Sequence, residues 1–184
     1  MRITGGTLKG QLLKGGFASH VRPTTDFVRE ALMNYLSHRY EIDGADVLDL
    51  FSGSGIMALE FLSRGAACVI SIDKDTKNIR YQQEIRREKN LSSWQISKGD
   101  AFKTLEDKDS AYDIVFADPP FDWEERPALI RRVLQQGWLK PDGYFILEHP
   151  SQEDGLYEKP DIENRQYGNC SFAFFRPSSS PITG

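Results

Sequence analysis

The chain predicts a doubly wound, mostly parallel α/β sheet of seven strands, and three observations carry that expectation. From residue 45 onward, short apolar β-runs alternate with helical patterns, the signature of right-handed crossovers. One run, Val47, Leu48, Leu50 and Phe51, is nearly continuous in apolar character, as a parallel strand buried on both faces should be. It ends in the turn Ser52-Gly53-Ser54-Gly55, which opens directly onto a helical pattern. Beyond the fifth strand the rhythm changes: residues 150–162 are polar with Pro150 and Pro160, and no helix separates the two β-runs that follow. These runs, 165–167 and 170–175, are joined by Gly168-Asn169 and should form an antiparallel hairpin at one sheet edge.

Residues 1–16 read as two short β-prone pieces around a Gly-rich turn, a hairpin too small to stand without something to pack on. It should dock on the main domain or on a partner. Pro23 fixes the entry to a helix starting about Thr24, with a threonine N-cap and Asp26 complementing the dipole. Phe27, Ala31 and Tyr35, flanked by Val28, Leu32 and Leu36, form its apolar stripe, leaving Arg22, Arg29 and Arg39 for other faces. Strands follow near 46–51, 68–73, 94–98, 112–117 and 144–149, and helices near 55–64, 75–89, 101–106 and 124–136. Gly65 stops the first of these helices and Asn90 the second, whose Lys, Arg and Glu content reads as a solvated face. Residues 178–184 look like a frayed tail.

A chain of 184 residues with 39% hydrophobic content is long enough for one substantial core. Its net charge of −4 argues against nucleic-acid binding by the whole surface. The charge is uneven, however. Residues 1–39 hold six Lys/Arg against Asp26 and Glu30, a net +4, which leaves −8 for the remainder. The amino-terminal arm is the basic pole, with Lys9, Arg22 and Arg29 as its candidates for phosphate contact and Thr24 beside them. Cys68 and Cys170 are isolated thiols without metal-ligand spacing, so a reduced, metal-free cytoplasmic protein is expected rather than a disulfide scaffold. No apolar run approaches the ~20 residues a membrane helix needs, and no membrane association is expected.

The glycine turn is a nucleotide-type site. Gly53 and Gly55 let the backbone come close to a ligand, and the helix behind them presents unpaired N–H groups and a positive dipole end. A side chain at either glycine is expected to occupy ligand space. Gly53-x-Gly55-x-x-Ala58 also fits the dinucleotide fingerprint, with Asp73 at the distance of a ribose partner. Asp49 separates the readings, because a carboxylate at the strand end repels a pyrophosphate but suits a cofactor with positive charge, such as the sulfonium and ammonium of S-adenosylmethionine. Asp49, Phe51, Ser52, Gly53, Ser54, Gly55, Asp73, Lys74, Asp100 and Ala101 are the cofactor candidates. Asp73 could equally cap the helix beginning about Thr76, and Asp100 could be a turn or N-cap residue.

The second motif is Asp118-Pro119-Pro120-Phe121, at the end of the fourth strand. In open α/β sheets ligands sit beyond the carboxyl ends of the strands, so Asp118 and Asp49 are expected to serve one crevice. Two prolines cannot donate hydrogen bonds, which makes Asp118, Pro119 and Pro120 an acceptor group in want of an amine donor. Phe121 offers a face on which an extruded base can stack. His20, His38 and His149 have no partner pattern and no catalytic role is expected for them, while Trp94, Trp123 and Trp138 read as packing residues.

A glycine motif followed some sixty residues later by Asp118-Pro-Pro-Phe resembles the class I, Rossmann-like amino-methyltransferases. The match tightens over Arg2-Ile-Thr-Gly-Gly, the segment Arg22-Pro-Thr-Thr-Asp-Phe-Val-Arg-Glu-Ala-Leu-Met-Asn-Tyr-Leu, Asp49-Leu-Phe-Ser-Gly-Ser-Gly and Glu60-Phe-Leu-Ser-Arg-Gly-Ala. In that order these look like the RsmD-type methyltransferases. The resemblance implies methyl transfer from S-adenosylmethionine to N2 of a guanine in 16S ribosomal RNA, with Asp118, Pro119, Pro120 and Phe121 catalytic. It also implies a partner, the assembling small ribosomal subunit, and a monomeric enzyme. Domains are expected at 1–39 (basic hairpin and helix extension), 40–177 (methyltransferase domain) and 178–184 (tail). Gln11 stands where an arginine looks usual in such hairpins, and Ile56-Met57-Ala58 replaces a common leucine and glycine. Methylation of a protein glutamine or a DNA adenine, and a non-catalytic role as an RNA-binding assembly factor, are the rival functions.

Overall fold

Strands and helices alternate as the hydrophobic pattern requires: β1 (Asp46–Leu50), α2 (Ile56–Ser63), β2 (Cys68–Asp73), α3 (Thr76–Glu88), β3 (Trp94–Lys98), α4 (Ala101–Thr104), β4 (Tyr112–Ala117), α5 (Arg126–Gln135) and β5 (Leu139–Pro150), with α1 (Asp26–Arg39) ahead of them. A 3-10 turn, η1 (Ser151–Leu156), then leads to β6 (Glu163–Tyr167) and β7 (Cys170–Phe175). The computed structural model describes residues 1–15, 25–105, 110–157 and 161–178. The expected placements of His20, Arg22, Pro23 and Thr24, and of residues 179–184, lie outside these. The seven strands are ordered β3-β2-β1-β4-β5-β7-β6. Burial follows position. β1 and β4 are buried almost throughout, whereas β3 and β6, at the two ends of the order, leave three and two of their five residues exposed.

The chain divides into two compact units, Met1–Asp100 and Ala101–Gly184. In the first, β1-β2-β3 are parallel and in register from Asp46↔Cys68 to Asp73↔Lys98. The amino-terminal segment belongs to this unit. It is barely a hairpin, with one antiparallel bridge, Arg2↔Leu12, and it docks on α2 rather than standing free. The Thr7 N–H donates to the Ser63 carbonyl and the Leu8 N–H to Ser63 Oγ. At Gly6 a Cβ would lie 1.7 Å from the Ser63 carbonyl oxygen, so only glycine permits this approach.

α1 has the expected threonine N-cap, Thr25, whose hydroxyl accepts from the Val28 N–H, and Asp26 in its first turn, but its buried face differs from expectation. Its buried face is Arg29, Leu32, Met33 and Leu36, and Phe27 is 76% exposed. The helix is rotated because Arg29 has a partner to reach in the interior, as described below.

In the second unit β4 and β5 are parallel, with a register shift after Tyr112 that accommodates Lys140-Pro-Asp-Gly143 within β5. β7 pairs antiparallel with both β5 and β6, the arrangement expected from Gly168-Asn169. No helix among the described residues is long and apolar enough to cross a membrane. Cys68 and Cys170 are both free thiols.

Candidate active site

The glycine turn is held in an unusual backbone shape. Phe51, Gly53 and Gly55 all have positive φ, at 60°, 52° and 76°. For Phe51 this costs about 1–2 kcal/mol, a strain tolerated only where surrounding bonds impose it. Those bonds are visible. The Gly53 N–H donates to the Asp73 carboxylate at 2.7 Å, and the Asp73 carboxylate also accepts from the Asp75 N–H at 2.7 Å and from Asn78 at 3.3 Å. Gln82 Nε2 donates to Ser52 Oγ and to the Gly53 carbonyl, both at 2.9 Å. Gln82 is fully buried on the inner face of the charged helix α3, where a solvated-face reading gave it no role.

Gly55 is required for a different reason than ligand approach. A Cβ there would meet the Trp94 ring at 2.6 Å and Gln82 at 2.9 Å, so the glycine makes room for packing beneath the turn. Trp94 is fully buried and its Nε1–H donates to Ser71 Oγ at 2.8 Å. Ser71 in turn bonds the Asp49 carboxylate, which also accepts from the Ala58 N–H in the first turn of α2. Asp49 therefore caps α2 from within. It is 1% exposed, and its Oδ2 has no hydrogen-bond partner. Burial, then the nearby Asp73 carboxylate, push the Asp49 carboxyl well above the usual range.

This donor set fits a positively charged ligand bearing hydroxyls. Asp73 keeps some exposure, at 9%, and a cation beside the buried Asp49 carboxyl, whose Oδ2 is orphaned, would draw that group back to its ionised form. Ser54 is buried beside the Met1 thioether, and Lys74 is exposed directly after Asp73. The N-cap of α3 is Asp75, so Asp73 is not needed for that role. Asp100 ends the first unit exposed, and Ala101 begins the second as the buried first residue of α4.

Asp118 is half-buried at the end of β4, Pro119 is buried, and Phe121 is 43% exposed. In the parallel register Ala117 lies against Leu147, which puts Asp118 next to Glu148 at the carboxyl ends of neighbouring strands. Trp123 packs its ring 5.5 Å from Phe102. His149 is buried, with Nε2 3.0 Å from Asn164 Oδ1 and its ring 4.0 Å from that of Tyr157, a packing role.

Of the RNA candidates, Lys9 is exposed at the tip of the amino-terminal turn. Arg29 is not available to a phosphate. It is fully buried, donating to Asp26 Oδ1 at 2.7 Å, to the Arg2 carbonyl at 2.6 Å and to Glu60 Oε1 at 3.4 Å. Glu60, also fully buried, accepts further from the Thr4 N–H at 2.9 Å and from Arg64. An arginine counted as exposed from its helical position thus cross-links α1, α2 and the amino-terminal segment.

The sequence matches the family described as Conserved hypothetical protein 95 over residues 1–176. The chain belongs to this family. It is 35% identical to ribosomal RNA small subunit methyltransferase D of Escherichia coli K12, covering 87% of this chain and 79% of the relative. The structure of a hypothetical protein from Thermus thermophilus superposes with a TM-score of 0.82 at 27% identity, over 96% of this chain and 99% of that one. The SAH-bound methyltransferase PaMTH1 of Podospora anserina, at 16% identity and TM-score 0.66 over 84% of this chain and 80% of that one, shares the fold. This family member is accordingly a methyltransferase with the mostly parallel seven-stranded sheet of that class.

Proposed function

We propose that this chain methylates the exocyclic N2 amine of a guanine in 16S ribosomal RNA, using S-adenosyl-L-methionine. The observation that carries the reading is Asp118-Pro119-Pro120-Phe121 at the carboxyl end of a buried parallel strand. It stands in a chain that resembles an RNA methyltransferase along most of its length. The cofactor supplies an electrophilic methyl group. Asp73 is suited to its ribose hydroxyls, and the Asp49–Asp73 pair to its positive charge, with Phe51 to Gly55 lining the approach. Asp100, Ala101 and Lys74 complete the set on sequence grounds.

The guanine N2 lone pair is delocalised into the ring, so the nitrogen is a poor nucleophile until its hydrogens are drawn out of plane. The Asp118 carboxylate and Pro119 carbonyl are acceptors suited to that task, and they favour the transition state, in which the amine becomes positive, over the ground state. The proton released after transfer passes to Asp118 or to water. Phe121 offers its exposed face for stacking the base. RNA contact falls to Lys9, Arg22 and Thr24 of the amino-terminal arm, and the substrate is an assembling small subunit rather than free nucleoside. The protein works as a cytoplasmic monomer without metal.

Labelled S-adenosylmethionine incubated with the protein and with rRNA from cells lacking the enzyme, free and in particles, tests this. Label on guanine N2 is expected, and label on protein or adenine, or none, rejects the reading.

A further inference from the structure

Arg126 is the first residue of α5, a cation placed at the positive end of the helix dipole, where its charge is unfavourable. It is nevertheless 4% exposed, and its Nε has no partner. A helix start chosen for stability would carry an acid here, and none lies in the first turn of α5. Departures of this kind concentrate at functional sites.

What the guanidinium does instead is grip the backbone that follows Asp118. Nη2 donates to the Pro120 carbonyl at 2.7 Å, and Nη1 donates to the Trp123 carbonyl at 2.9 Å. The Trp123 N–H also donates to the Pro120 carbonyl, at 2.9 Å. Phe121 and Asp122 are thereby spanned by a clamp with fixed feet. Consecutive prolines supply no N–H of their own, so this segment needs donors from outside. The guanidinium is itself held by Glu153 of η1, at 3.1 Å from Nη1, and Glu153 bonds the buried Tyr157 phenol. Tyr157 lies against His149, which is tied to Asn164 on β6.

We infer that Arg126 is a positioning residue for methyl transfer: it fixes the Pro120 and Trp123 carbonyls so that the Phe121 ring and the Asp118-Pro119 acceptors keep one geometry. Glu153 and Tyr157 orient it. The inference rests on reading 118–121 as the methyl-acceptor site. A displacement of about 1 Å in such a constellation costs up to about a hundredfold in rate.

The test is single-turnover methyl transfer to rRNA particles at saturating cofactor, with cofactor affinity and melting temperature measured on the same samples. Arg126→Met, which keeps the apolar stem and removes the donors, should slow transfer roughly tenfold to a hundredfold while cofactor affinity stays within about twofold. Arg126→Lys should recover part of the rate, and Glu153→Gln, which still accepts from Nη1, most of it. Guanidinium ion added to Arg126→Ala should raise its rate where methylammonium does not, a response that loss of stability alone would not give. A wild-type protein that transfers no methyl group refutes the proposed function itself. A wild type that is active beside a folded Arg126→Met of equal rate overturns the clamp. Should Arg126→Met fail to fold, Arg126→Lys decides, and full activity in it overturns the clamp too.

Discussion

A carboxyl group as deeply buried as Asp49 holds its proton to higher pH in the folded chain than in the unfolded one. Between the ordinary carboxylate value of 3.8 and the raised folded value, the folded state binds the extra proton, so stability falls as pH rises through that window. Asp49→Asn removes the titration while keeping an acceptor for the Ala58 N–H. Calorimetry above pH 4 should therefore give a flatter stability profile for the variant than for wild type, and parallel profiles would contradict an Asp49 titration shifted by burial. Asp118 poses the opposite question, since its contribution is expected in the transition state rather than in stability. Asp118→Ala should reduce single-turnover methyl transfer by on the order of a hundredfold, comparable with losing one preorganised electrostatic group, with cofactor affinity little changed. An unchanged rate excludes Asp118 from the chemistry.

At the scale of elements, the buried ion cluster decides how the amino-terminal segment and α1 sit on α2. Removing Arg29 leaves the Arg2 carbonyl without its donor and Glu60 with Arg64 and Thr4 as its remaining partners, at a cost of about 1–3 kcal/mol. Arg29→Met should destabilise the protein by roughly that amount and speed amide exchange at Thr4, whose N–H bonds Glu60. A variant of wild-type stability that loses RNA affinity would instead return Arg29 to the phosphate role. This cluster also shows where sequence reading stops. The strands, their order of appearance, and the helices after Gly55 and Asp75 are local in origin, and period and turn chemistry locate them. Arg29 reads as surface because its partner Glu60 is 31 residues away. Positive φ at Gly55 was legible from the turn, but the Trp94 ring that forbids a Cβ there comes from β3. Gln82 and Arg126 were invisible for the same reason: long polar side chains are presumed solvated, and only the fold reveals that both reach back to main-chain carbonyls.

Across the whole molecule, charge sets how a protein of net charge −4 can bind a polyanion. The affinity must come from a local concentration of exposed cations, because the remainder of the surface repels phosphate. With Arg29 internal and paired, the arm's exposed set includes Arg2, Lys9, Lys14 and Arg39, with Arg22 added from the sequence. Across the amino-terminal segment, Lys14 lines a groove of about 460 Å³ with Lys77, Arg80 and Lys89, where Glu84 and Glu88 offset part of the charge. Each phosphate contact contributes about 0.7 to 0.9 to the slope of log affinity against log salt. The triple reversal Lys9→Glu, Lys14→Glu, Arg22→Glu should therefore weaken RNA binding and lower that slope by about 2 to 3. Cofactor affinity should be unaffected, since none of the three lies in the glycine turn. Titrating labelled rRNA fragments at several salt concentrations measures the slope directly, and an unaltered slope in the triple variant would move the RNA-binding surface away from the amino-terminal arm.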